Sequence, residues 1–96
     1  MYEWECKSSD DLVGSGLQTE VKYINGDKEE WTVPSLCAEK CVNKFPERGN
    51  ECNFFSAGWD EKKGICYRER TSSASCPEGF NKDSTFTFHE IKRLSK

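Results

Sequence analysis

Six cysteines are the most chemically capable side chains of this 96-residue chain, at Cys6, Cys37, Cys41, Cys52, Cys66 and Cys76. Their spacing decides what they do. A structural zinc site wants two C-x₂₋₄-C pairs, or one such pair with an H-x₃₋₅-H pair. Only Cys37-x₃-Cys41 has that spacing, and the one histidine, His89, has no second imidazole to join it. An even cysteine count in a short chain reads instead as a disulfide framework formed in an oxidising compartment. Such a framework leaves no thiolate for Cys–His nucleophilic catalysis. The adjacent carboxylates Asp10/Asp11 and Glu29/Glu30 project to opposite faces of a strand, and Asp27, Glu29 and Glu30 lack the EF-hand spacing. There is no Gly-rich phosphate loop and no N-x-[ST] sequon. His89 falls in an alternating stretch and reads as a surface or half-buried strand residue. The expectation is a protein that is not an enzyme and uses no metal and no cofactor.

Several elements must position these cysteines. Leu17–Ile24 alternates Leu17, Thr19, Val21 and Tyr23 against Gln18, Glu20 and Lys22, the period of a half-buried strand. Asn25-Gly26 follows, the strongest short hairpin signal, and Lys28–Val33 reads as the returning strand. Thr32–Phe45 reads as the helix, with Thr32 as N-cap, Pro34 tolerated in the first turn, and Cys37, Cys41 and Phe45 recurring every four residues. Pro46 and Gly49 end it. Cys52–Gly58, the polar turn Asp60–Gly64 and Ile65–Arg70 read as strand, turn and strand. Thr85–Ile91 reads as a last strand, while Lys7–Gly16 and Thr71–Gly79 read as loops. Phe45, one of Phe54 and Phe55, Tyr23, Trp31 and Phe88 are the core candidates.

Composition narrows the class. The chain carries 14 basic and 17 acidic residues, a net charge of −3, which argues against a dedicated nucleic-acid binder. Twelve aromatics and six cysteines do not belong to a disordered chain. A membrane helix needs about 18 consecutive apolar residues; the longest apolar runs here, Leu36–Ala38 and Ile65–Tyr67, are three, so no membrane insertion is expected. Residues 1–10 show neither the basic nor the apolar region of a secretory signal. A secreted or ectodomain location therefore rests on the cysteines alone. The length suits a single domain, 1–96.

Helical geometry restricts the pairing. Cys37 and Cys41 lie on one helical face with Cβ atoms about 5–6 Å apart, whereas a disulfide wants about 3.5–4.5 Å. Each must therefore reach another element. The chain leaves the helix near Cys41 and begins its next strand at Cys52; after the Asp60–Gly64 reversal, Cys66 returns beside Cys37. The economical solution is Cys41–Cys52 with Cys37–Cys66. Cys6 and Cys76 remain to tie the two ends of the chain together.

The runs Ser35-Leu36-Cys37-Ala38-Glu39-Lys40-Cys41, Glu51-Cys52-Asn53-Phe54-Phe55-Ser56 and Gly64-Ile65-Cys66-Tyr67 resemble the core of PAN/apple domains. In that family a helix carries C-x₃-C, a strand follows as C-x-x-F-[ST], and a further strand brings a fourth cysteine. The resemblance covers about 35 residues and implies a small disulfide-rich α+β domain, an antiparallel sheet packed against one helix, with the same core pairing. It also implies a terminus-joining bridge, matched by Cys6 and Cys76. Arg68 stands where the family usually has an aliphatic residue. Members serve in coagulation zymogens, growth-factor N-domains, parasite adhesins and leech platelet inhibitors.

A module of this kind works through surface shape, aromatics and charge. Trp59 at the second hairpin's tip, with Lys62, Lys63, Tyr67, Arg68 and Arg70, forms the candidate patch for a carboxylated or sulfated glycan or an acidic protein surface. Tyr2 also reads as exposed. The expected function is an extracellular, non-catalytic recognition module that binds protein or carbohydrate, of the adhesion or lectin-like kind, with further modules flanking it in the parent protein. The alternative is a free-standing secreted effector, such as a toxin, protease inhibitor or haemostasis inhibitor. A precursor with flanking cysteine-rich modules would favour the first; a lone signal peptide plus this domain, the second.

Overall fold

The computed structural model describes residues 4–6, 9–14, 16–71, 73, 75–77, 79–82 and 85–92, with the backbone alone for 4–6, 9–13, 81 and 82. The elements in chain order are β1 (Trp4–Cys6), β2 (Ser9–Gly14), β3 (Thr19–Ile24), β4 (Asp27–Thr32), α1 (Pro34–Lys44), β5 (Phe54–Gly58), a 3₁₀ turn (Asp60–Lys62), β6 (Cys66–Glu69), β7 (Phe80–Lys82) and β8 (Phe86–Glu90). Every strand pairing is antiparallel. The main sheet has the order β2-β6-β5-β8, and β1–β7 and β3–β4 form two separate ribbons. The chain is a small α+β domain.

The helix and its sulfurs make the centre. Pro34 opens α1 at its first turn, where its missing N–H costs nothing. Cys37 and Cys41 are fully buried. Cys37 bonds Cys66 across a Cα–Cα distance of 5.8 Å, and Cys41 bonds Cys52 across 5.4 Å, both inside the range a disulfide accepts. Phe55 and Ala57 join these four in one cluster, against which Leu17, Ala38, Phe45 and Ile91 pack. Cys76 is buried and disulfide-bonded. The side chain of Cys6, its expected partner, lies outside the described residues, as does Tyr2. The backbone of Cys6 sits opposite Phe80 in the β1–β7 ribbon.

The two hairpins form where the turn residues ask for them. Asn25 and Gly26 take positive φ of 53° and 86°, and β3 and β4 pair in unbroken register from Ile24↔Asp27 to Thr19↔Thr32. At the second turn, Gly58 has no room for a Cβ, which would strike the Lys62 carbonyl.

Four expectations are corrected. Ser9–Gly14 is not loop but strand, laddered on β6 with two register shifts. A serine- and aspartate-rich segment adopts that form because β6 offers it a row of backbone partners, which outweighs local turn preference. Phe80–Lys82, given no element by the sequence, pairs with β1. Thr32 does not cap the helix; Val33 occupies that position without a side-chain cap. The Thr32 hydroxyl instead accepts the Gly64 N–H at 2.5 Å, tying one hairpin to the other. Finally, Tyr23 is not core but 72% exposed, and Val21 is 48% exposed. No described strand flanks β3 on its outer side; among the described residues the ribbon meets the body through β4, by buried Trp31 and Thr32 and by Glu30.

Candidate functional site

The site grows from the β5–β6 hairpin. Its register sets Ala57 opposite Cys66 and Phe55 opposite Arg68. Side chains alternate along a strand, so Cys66 and Arg68 face the helix while Tyr67 and Glu69 face away. The Cys37–Cys66 bond fixes one end of β6 to α1. At the other end Arg68 is drawn under the loop that Cys41–Cys52 closes.

Arg68 is 4% exposed. Its guanidinium lies over the Phe45 ring, 4.0 Å from the centroid, a cation–π contact strengthened by burial. Nη2 donates to the Asn50 carbonyl at 2.9 Å, to Asn50 Oδ1 at 3.0 Å and to the Glu51 carbonyl at 3.4 Å. Nε and Nη1 are buried and meet no acceptor among the described residues. No described carboxylate pairs with this cation. On the opposite face, the Ser56 hydroxyl donates to Glu69 Oε2 at 2.6 Å, both residues being buried.

A cavity of about 220 Å³ opens here, lined by Gly49, Asn50, Glu51 and Asn53 on one side and by Arg68–Thr71 on the other. Apart from Gly49, every lining residue is polar or charged. Such walls suit a polar ligand, and the partly unmatched guanidinium suits an anionic one.

The six candidate residues do not converge. Arg68 and Arg70 line the cavity. Tyr67 lies on the other face, tilted against Phe86 at 5.5 Å. At the far end of the hairpin, Trp59 is not an exposed tip; it stacks on Trp31 with ring centroids 4.3 Å apart and planes 5° from parallel. Lys63 forms an ion pair with Glu30. Hydrogen bonding to Lys63 and its charge hold the Glu30 carboxyl below the usual range, and Glu30 raises Lys63 in return. Lys62 remains exposed. The hairpin's length separates these groups from the cavity.

His89 is half-buried, as the alternation predicts. Its ring stacks on Phe55 at 5.0 Å and its Nε2 lies 2.6 Å from Thr87 Oγ1. Burial pushes its pKa down. Among the described residues, no three of His, Cys, Asp and Glu gather in a metal-binding group. No described helix is long and apolar enough to cross a membrane.

Sequence reasoning missed Asn50, Glu51, Asn53 and Thr71. The one available signal was Arg68 itself, a cation at a position that alternation assigns to the helix-facing side. Comparison of the chain with family models, curated proteins and solved structures gives no match.

Proposed function

We propose that this chain is a non-catalytic recognition module of PAN/apple type, working in an extracellular setting and binding an anionic group presented by a glycan or a protein. The observation that carries this reading is Arg68. A guanidinium removed from water, with two of its nitrogens lacking acceptors among the described residues, costs several kcal/mol when left uncompensated. A carboxylate or sulfate entering the cavity beside it would offset that cost. The disulfides support an oxidising compartment. The C-x₃-C helix, bonded to β6 at Cys66 and to Cys52 just before β5, supports the family assignment.

The test is retention on an array of carboxylated and sulfated glycans and acidic peptides, at low and at high salt. Arg70→Ala, on the exposed rim, should weaken binding about tenfold without unfolding the domain, since charge-assisted contacts are the strong ones. Arg68→Lys, which keeps the charge but loses the planar fork, should weaken it further. Lys62→Ala/Lys63→Ala should leave binding unchanged. If the lysine pair, and not the arginines, governed retention, the cavity would be the wrong site.

A further inference from the structure

The outer edge of β3 is an unusual surface. No described strand pairs with it, and Val21, Tyr23 and Ile24 are its exposed large apolar residues. An open strand edge is a template for another strand. Which groups it offers follows from the turn. Ile24 and Asp27 close a two-residue loop, so Ile24, Lys22 and Glu20 direct their backbone hydrogen bonds to β4. By alternation, Thr19, Val21 and Tyr23 direct theirs outward.

We infer that this edge pairs with the same edge of a second copy of the chain, antiparallel and centred on Val21. The sequence Thr19-Glu20-Val21-Lys22-Tyr23 is self-complementary about that centre. Val21 meets Val21 of the second copy in a mutual pair of N–H to carbonyl hydrogen bonds. Thr19 meets Tyr23 twice by the two-fold symmetry, on the face Val21 occupies. On the other face Glu20 stands opposite Lys22, again twice. Opposite charges and aromatic–β-branched neighbours are the cross-strand pairs that stabilise an antiparallel ladder.

Neighbouring registers fail on charge. Centring on Lys22 sets lysine against lysine, and centring on Glu20 sets glutamate against glutamate. A lysine in an edge strand ordinarily guards against pairing, but here Glu20, two residues away, supplies its match. Within one chain the two stand 4.0 Å apart with side chains 55% exposed, and Lys22 lies over the Trp31 ring at 5.6 Å, so both charges stay at the surface. The interface is isologous, as a two-fold dimer requires. It is also small, so the association should be weak, with a dissociation constant of about 0.1–1 mM.

Sedimentation equilibrium of the intact, oxidised chain up to about 1 mM tests this. The native chain should show a monomer–dimer equilibrium, with slowed amide exchange at Thr19, Val21 and Tyr23 as concentration rises. Lys22→Glu places like charges opposite each other twice and should weaken the dimer about tenfold or more. The exchanged variant Glu20→Lys/Lys22→Glu restores both pairs and should return dimerisation to within about threefold of native. Equal urea midpoints for the variants would confirm that the fold is intact. A chain monomeric throughout the range, or a dimer indifferent to Lys22→Glu, would overturn the inference. So would an exchanged variant no better than the single one.

Discussion

Arg68 and His89 flank Phe55 from the two neighbouring strands, and each is held where its charge is unwelcome. His89 has the simpler consequence. Burial lowers its pKa below the unfolded value of about 6.5, so the fold prefers the neutral imidazole. The stability this confers is complete above the unfolded value and is lost as pH falls through the depressed folded one. Urea midpoints measured from pH 7.5 downward should therefore drop as pH falls below about 6.5, and His89→Gln should flatten that part of the profile. A variant with the native slope would locate the titration elsewhere. The half-buried state of His89 was legible because Phe86, Phe88 and Glu90 alternate with it. Arg68 was not, since long charged side chains are rarely fully buried without a partner. Trp59 misled for another reason: its stacking partner, Trp31, is distant in sequence, and no local pattern carries that information.

Elements whose signals are local were readable. Asn25-Gly26 announces its hairpin because two consecutive positive φ angles favour those residues. The four-residue recurrence of Cys37, Cys41 and Phe45 announces the helix. Strands β2 and β7 carry no comparable signal, because their ladders are made with partners far along the chain. Thr32 illustrates the same limit. Its position before Pro34 suggests a cap, whereas its hydroxyl serves the Gly64 N–H of the second hairpin. Thr32→Val keeps the shape and removes the acceptor, leaving a buried donor unmatched; it should cost about 1–3 kcal/mol. Thr32→Ser should recover most of that in denaturant titration. A loss in Thr32→Ser with none in Thr32→Val would mean that packing of the methyl group, not the hydroxyl, is what counts.

At the scale of the molecule, two bridges converge on one helix, and their energetics differ with loop length. In the chain-entropy treatment the Cys41–Cys52 loop contributes about 3 kcal/mol and the longer Cys37–Cys66 loop about 3.6 kcal/mol. Together they rival the net stability of many small domains. Paired substitution of Cys37 and Cys66 by Ala should therefore lower the urea midpoint more than paired substitution of Cys41 and Cys52. Full reduction should abolish cooperative unfolding. A reduced chain that still unfolds in one sharp transition would show that apolar packing suffices. The pairing was legible because helical geometry forbids Cys37–Cys41, whereas the cavity was not, being assembled from a loop and a strand end with no shared motif. Neither described bridge reaches the β3–β4 ribbon, whose seam with the body holds two coplanar indoles beside the Thr32–Gly64 hydrogen bond and the Lys63–Glu30 ion pair. Those indoles are coupled chromophores. Any hinging of the ribbon must part them and alter their joint ultraviolet dichroism, so the protein carries an intrinsic optical gauge on a joint that neither described bridge fastens.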